Sequence, residues 1–260
     1  MTKELILASL FTSGILYADT LGGEFFLGMY SHTPSGYASY TAPGMGKTGT
    51  SANLEDTLQW ESNENIFLKA YLEHPVPMLP NVKVALTQLS HDGQSNVGND
   101  FVWGEIHIPY SGTIDNNMDI NKYDMTLYYE LLDNWIEADA GITLGYINGH
   151  IKVTALSGLA SSSLSHTEKT DFSLFMPTLY GKTRFNLPST DISLQFEGDI
   201  FSYDDTTFYN YTLSARYTFT MGLGIEAGYK ALHLESKDLA EGLDVDMDFN
   251  GPYAAVVWDF

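Results

Sequence analysis

The sequence predicts an all-β chain: one closed antiparallel transmembrane β-barrel of about ten strands, with twelve as the alternative count. Three observations carry that prediction. The last eight residues, Tyr253 to Phe260, alternate to a terminal aromatic, with Ala254, Val256, Trp258 and Phe260 sharing one face of an extended strand. In hydrocarbon such a strand must pair with the first, because an open sheet edge has no water to satisfy it. Repeated segments with one apolar and one polar parity precede it, and the connections between them alternate between short and long.

Composition sets the bounds. The chain has 260 residues, no cysteine, and 12 basic against 33 acidic residues, for a formal charge of −21. No disulfide framework is available, and the acidic balance excludes nucleic acid and anionic lipid surfaces as partners. Past the first twenty residues no apolar run approaches the ~20 residues of a spanning helix. Spanning strands dilute their hydropathy by half, so a barrel remains open.

Residues 1–18 read as a secretory signal: Lys3, an apolar run from Leu5 to Leu16, then Leu16-Tyr17-Ala18. Residues 19–260 form the barrel domain. A first strand follows Gly22-Gly23, with Phe25, Leu27 and Met29 on one face. Residues 31–55, rich in Ser, Thr, Gly and Pro, read as a long exposed loop. From Thr57 to Glu73 a long strand sets Leu58, Trp60, Ile66, Leu68, Ala70 and Leu72 against Gln59, Glu61, Asn63, Asn65, Lys69 and Glu73.

The connection Glu73-His-Pro-Val-Pro-Met-Leu-Pro-Asn81 must be tight, since its three prolines cannot donate to a ladder. His74 there is read as part of a structural turn. This element, Gly22-Gly23, Leu132-Asp133-Asn134-Trp135 and Pro177-Thr-Leu-Tyr-Gly-Lys182 together resemble a family of small proteobacterial outer-membrane barrels with an N-terminal Gly-Gly. The ending on Trp258 and Phe260 likewise resembles the terminal signature that the barrel assembly machinery of Gram-negative bacteria reads, so deleting Phe260 is expected to impair assembly. The resemblance implies the outer membrane as location, export through the periplasm, and outer-membrane lipid as surroundings. It implies no activity, cofactor or catalytic residue.

The remaining strands place Val82, Val84 and Leu86 outward, then Tyr123, Met125, Leu127 and Tyr129, then Ile136, Ala138, Ala140, Ile142 and Leu144. Later strands set Leu179 and Phe185 against Lys182 and Arg184, and Leu194 and Phe196 against Glu197 and Asp199. Between Tyr209 and Thr220, six outward apolar residues oppose six polar ones; Glu226 and Lys230 then oppose Ile225, Ala227 and Tyr229. Short turns fall near 73–81, 131–135, 186–191 and 220–223, and long polar loops near 91–121, 147–170 and 234–243, with 202–207 a short outer exception. Residues 101–109 are either a hairpin arm or a further strand. In the last strand, Met247 and Phe249 face lipid only if parity slips by one at Gly251-Pro252, which would put Asp244, Asp246 and Asp248 on the lumen side.

The chemistry expected is that of a charged lumen. Lys69, Lys182, Arg184, Arg216 and Lys230 share the polar parity with Asp124, Glu130, Glu137, Asp139, Glu197, Asp199 and Glu226. This set reads as a salt-bridged plug or a narrow cation-favouring path for small ions or solutes, with Lys182 and Arg184 facing Glu197 and Asp199. Three aspartates at 244, 246 and 248 lack the spacing of a looped calcium site, so no metal is expected. An enzyme, a protease or lipid hydrolase, would need His and Asp converging at the outer rim, where His91-Asp92, His150, His166, His233 and Asp204-Asp205 map. These fit no motif, so no enzyme is expected. Adhesion through the outer loops is the third class.

Overall fold

The computed structural model describes residues 22–44, 46–76, 78–98, 100–156 and 165–260, so the predicted signal segment lies outside the described residues. The strands are β1 (Gly22–Tyr40), β2 (Ala52–Asn53), β3 (Asn63–Glu73), β4 (Asn81–Gly98), β5 (Phe101–Trp103), β6 (Ile106–Ile108), β7 (Ser111–Asp133), β8 (Ile136–Leu156), β9 (His166–Asn186), β10 (Ile192–Tyr203), β11 (Thr206–Thr218), β12 (Leu223–Ala240) and β13 (Leu243–Asp259). Among the described residues ten of these form an antiparallel ring, in the order β13-β12-β11-β10-β9-β8-β7-β4-β3-β1, closed by β1 pairing with β13. Residues 101–108 make a separate hairpin, which settles the strand count at ten.

Closure happens at the lower end of the ring, where β1 begins and β13 ends. Gly23 and Phe260 exchange both backbone hydrogen bonds, at 2.9 Å each. A Cβ on Gly23 would stand 2.8 Å from the Phe260 ring and 2.8 Å from the Tyr71 carbonyl oxygen. Glycine is required there by close approach, and the terminal ring lies in the space it leaves, against Trp258 at 5.2 Å.

The lower half obeys the predicted parity. Outward positions carry Leu27 and Met29, Ile66 and Leu72, Met125 and Leu127, Ile142 and Leu144, Leu179, Phe196, Leu213, Ile225 and Val256, all exposed. Tyr123 and Tyr146, on paired strands, head this band (ring centroids 6.4 Å apart); Trp135, Phe185, Tyr217, Phe219 and Phe260 sit at its foot. Aromatic belts on both sides of an apolar band mark the interfaces of a spanning barrel.

Above that band the polarity of both faces inverts without any change of parity. On β7 the outward series Tyr129, Leu127, Met125, Tyr123 continues as Asn121, Asp119, Asn117, Asp115. Its inward series Tyr128, Thr126, Asp124, Lys122 continues as Ile120, Met118, Asn116, Ile114, all buried. The same exchange follows Tyr146 on β8, Phe175 on β9 and Pro252 on β13. Strands β8 and β9 have 21 residues each, which is roughly 70 Å of strand and about 50 Å of height at a barrel tilt. A hydrocarbon band is about 25 Å tall, so roughly half the barrel stands in water. There it is built as a water-soluble protein is, polar outside and apolar inside.

That inversion corrects several expectations. Among the described residues the loops read at 91–121, 147–170 and 234–243 are largely strand and the one read at 31–55 is so in its first part: β1 runs on to Tyr40, β4 to Gly98, β8 to Leu156, and β12 and β13 meet around residues 241–242. Gly251 and Pro252 pair in register with Lys230 and Tyr229, so there is no bulge. Met247 and Phe249 are fully buried and point inward, and Asp244, Asp246 and Asp248 point out. The membrane ends between Pro252 and Asn250, so the outward face changes from lipid to water and no slip is needed. Leu58 and Trp60 precede β3 and are buried inside, at 0% and 3% exposure, rather than facing lipid. They join Leu54, Leu89, Phe249 and the hairpin residues Phe101, Trp103 and Ile106 in the upper core. The hairpin is tied down by Gly104 N donating to Tyr40 O at 2.8 Å and Thr50 N to Val102 O at 2.8 Å.

Candidate functional site

The lower interior is the charged site that the sequence points to. Lys69, Lys83, Lys122, Lys182, Arg184, Arg216 and Lys230 are buried in it, against Asp124, Asp139, Glu197, Asp199 and Glu226, with Glu24 and Glu137 half-buried at the lower end. Seven bases thus face five fully buried carboxylates, and the half-buried Glu24, Glu73, Glu137 and Asp259 toward the lower end bring the carboxylates to nine, so the lumen keeps the acid excess expected. The rest of the acid excess of the chain lies on surfaces that water reaches. In a low-dielectric lumen each base has to be offset locally.

Three of the ion pairs, Lys69 and Lys83 with Glu197 and Arg184 with Glu24, are drawn from across the lumen. Glu197 on β10 accepts from Lys69 Nζ and Lys83 Nζ, both at 2.8 Å, from Tyr71 Oη at 2.8 Å and from Tyr180 Oη at 3.2 Å. Strands β3 and β4 lie on the wall opposite β10, so these bonds span the barrel. Arg184 on β9 reaches Glu24 on the opposing β1 through two parallel bonds of 2.6 and 2.9 Å, and also Glu137 at 3.3 Å. Arg216 joins Glu24 at 3.0 Å, Glu226 at 3.2 Å and Asp259 at 3.4 Å. Lys182 pairs with Asp139 at 2.7 Å, and Lys122 with Asp124.

Lys182 and Arg184 share the inward face with Glu197 and Asp199 on the paired strand as expected, but no ion pair forms between the two sets. Lys182 stands beside Glu197 in register, but two lysines on the far wall hold that carboxylate. Asp199 accepts from the hydroxyls of Thr143 (2.6 Å) and Thr178 (3.2 Å). Glu130 is exposed at the lower rim and makes no ion pair among the described residues. Glu24, Lys83 and Lys122 were missed, although each shares the inward parity of its strand.

A cavity of about 40 Å³ lies at the centre, lined by Lys69, Lys83, Asp124, Asn210, Thr212 and Lys230 among others. Asp124 Oδ1, Asn210 Oδ1 and Thr212 Oγ1 have no protein partner, and Lys230 Nζ donates to Thr87 Oγ1 at 3.1 Å. Such a void has room for two or three waters, which suits three acceptors beside an ammonium.

Just above the band, where the outward neighbours Ser31, Thr33, Ser90 and Asp92 are polar, two histidines face each other in the core. His91 Nε2 lies 3.0 Å from His32 Nδ1; their outer nitrogens lie 2.9 Å from the Glu61 carbonyl oxygen and 2.9 Å from Asn65 Oδ1. Trp60 and Phe249 stack on His91, at 5.8 and 5.7 Å. Burial pushes both imidazoles down to about 4, aided by Lys230 near His32 and by His32 near His91. The inner pair of nitrogens has room for one proton, not two. The unfolded chain takes up protons near the ordinary 6.5 that the folded pair refuses. The contribution of the pair is therefore complete above about 6.5 and is lost as pH falls toward 4, at about 1.4 kcal/mol per pH unit for each proton refused, which is at least the second of the two. The urea midpoint in detergent should fall between pH 7 and 4.5, and fall less in His91→Gln. Equal pH slopes in the two proteins would refute the assignment.

Apart from His233, which meets Asp248 at 3.1 Å, the other rim residues do not converge on one another. His91 points in while Asp92 points out; His150 approaches Asp119 at 3.5 Å, His166 approaches Glu168 at 3.2 Å, and Asp204-Asp205 turns between β10 and β11. Among the described residues no histidine is hydrogen-bonded to a serine or threonine hydroxyl.

No protein-family model matches the chain, and no curated protein matches it. Among solved structures it is similar to the outer membrane protease OmpT of Escherichia coli, with a TM-score of 0.56 and 13% identity over 94% of this chain and 98% of that one. It is also matched to Ail, the attachment invasion locus protein of Yersinia pestis (TM-score 0.32, 11% identity, 92% and 99% covered). A third match is the translocator domain of the autotransporter NalP of Neisseria meningitidis (TM-score 0.40, 12% identity, 98% and 96% covered). At such identity the likeness to OmpT shows a shared fold: this chain is a closed transmembrane β-barrel.

Proposed function

We propose that this chain is an outer-membrane barrel of a Gram-negative bacterium that passes no solute and instead holds a rigid β-structured platform above the membrane for contact with other surfaces. One observation carries the reading: ion pairs from opposite walls cross the lumen, and an apolar core under a hairpin fills the barrel above them. The fold shared with OmpT supports the location. Outer-membrane lipid would surround the aromatic-bounded band, and the Phe260 end would be the part that the assembly machinery engages.

Of the alternatives raised by the sequence, a cation-favouring path is disfavoured because the charges of the lumen are tied into ion pairs that cross it. A protease or lipid hydrolase is not favoured, since the rim histidines His233 and His150 meet their aspartates on the outer face of two separate strand pairs, with no hydroxyl bonded to either ring among the described residues. Adhesion through the upper surface is compatible with the platform. The test is conductance of the purified barrel in a planar bilayer. No steady current is expected at neutral pH, and a stable open level of either selectivity would overturn the sealed reading.

A further inference from the structure

Outside the lumen, the sheet brings together a histidine and two aspartates that are remote in sequence. His233 on β12 is paired directly with Asp248 on β13, and Asp246 is the next outward residue along β13. His233 Nδ1 lies 3.1 Å from Asp248 Oδ1 and 4.0 Å from Asp246 Oδ1, and one donor atom from each of the three falls within 4.8 Å of the others. The imidazole is held in place by stacking on Tyr209, the β11 residue paired with it, at 4.7 Å and 14°. Its side chain is 13% exposed, while Asp246 is 52% exposed, so the cluster is anchored on one side and open on the other.

The surroundings are electrostatically unfavourable without a cation. Asp244, Asp246 and Asp248 share the outward face of β13, and Glu235 stands directly opposite Asp246. Like charges directly opposite in a sheet are destabilising. None of these four carboxylates makes an ion pair with a lysine or arginine among the described residues.

We propose that His233, Asp246 and Asp248 form a surface site for a first-row divalent transition ion of the zinc type. Ligand bonds of about 2.0–2.2 Å place donors roughly 3.0–3.5 Å apart, so small side-chain rotations would close the present spacing. One imidazole nitrogen with two carboxylates is a donor set suited to Zn²⁺, with water completing the tetrahedron. Ca²⁺ takes six to eight oxygen ligands and gains nothing from the ring. The sequence hides this site because the aspartates alone lack the spacing of a looped cation site. Only the β12–β13 register sets the ring beside them.

The test is Zn²⁺ titration of the refolded barrel by calorimetry, with Mg²⁺ and Ca²⁺ as competitors. The expected result is one equivalent bound to the parent that Ca²⁺ does not displace at equal concentration. That equivalent should weaken at least tenfold in His233→Gln and Asp248→Asn and persist in His166→Asn, which removes a ring from the separate Glu105, His166 and Glu168 group. As an independent readout, Cu²⁺ at one equivalent should show nitrogen coupling in electron paramagnetic resonance, lost in His233→Gln. His233 and Asp248 lie on the outer face and His166 is exposed at the upper end of β9, so the fold is retained. Unchanged binding in His233→Gln, or equal displacement by Ca²⁺, would overturn the site and would leave the sealed-lumen reading untouched.

Discussion

Glu197→Ala is expected to be the most damaging single change in the lumen, lowering stability by about 3–5 kcal/mol. Glu197 is 5% exposed and is the common acceptor for two lysines and two tyrosine hydroxyls. Removing it leaves two ammonium groups within reach of each other in a site that water barely enters. Lys69 retains only the faces of Phe26 and Tyr71, at 4.4 and 5.4 Å, and Lys83 that of Tyr180 at 4.1 Å. Cation–π contacts of about 0.5–2 kcal/mol do not replace a doubly paired carboxylate. Glu197→Gln keeps an acceptor without the charge and should fall between the two. Combining Glu197→Ala with Lys83→Met should recover part of the loss, since one uncompensated charge goes with the lysine. Urea unfolding in detergent measures all of these. Equal midpoints for the parent and Glu197→Ala would mean that the cross-lumen bonds are not made.

Trp103→Ala is expected to cost about 3–5 kcal/mol as well, but in the upper half alone. Trp103 is fully buried in the β5–β6 hairpin, 6.4 Å from the Tyr40 ring, and closes the apolar core over the barrel. Truncating it opens a cavity that the hydrogen bonds of a two-stranded hairpin cannot collapse. Its indole N–H has no acceptor, so Trp103→Phe forfeits no hydrogen bond and should cost much less. Limited proteolysis should then cut Trp103→Ala within residues 99–110 while the lower strands stay protected. Cleavage spread evenly over both halves, or none, would contradict the division of the barrel into two separately stabilised levels.

How much could be read beforehand follows that same division. Where lipid lies outside, the outward face must be apolar, and the parities of Leu194 against Glu197, Tyr211 against Thr212 and Val256 against Ala255 are legible from spacing alone. In the upper half alternation persists with the opposite meaning. Asp115, Asn117 and Asp119 separated by Ile114, Asn116 and Met118 look like a polar loop when apolar residues are expected to mark the outside. The last strand shows this best, because a change of surroundings at Asn250 was read there as a change of register. The lumen residues were mostly legible as a set, and their pairings were not. Parity places Glu197 and Arg184 inside, but only ring closure sets β10 across from β3 and β4, and β9 across from β1.

The abruptness of the inversion bears on the bilayer itself. On β7, β8, β9 and β13 the outward side chain changes from Tyr123, Tyr146, Phe175 and Pro252 to Asn121, Asn148, Ser173 and Asn250 in a single step of two residues. The barrel therefore has no graded margin. In a thicker bilayer these amides and the aspartates behind them would be pulled below the headgroups; in a thinner one, aromatic rings would be stranded in water. Each ångström of mismatch costs a fraction of a kcal/mol, and lipid usually deforms before a closed barrel does. Four strands that each change within two residues act as a gauge of hydrocarbon thickness, and the surrounding lipid has to conform to it.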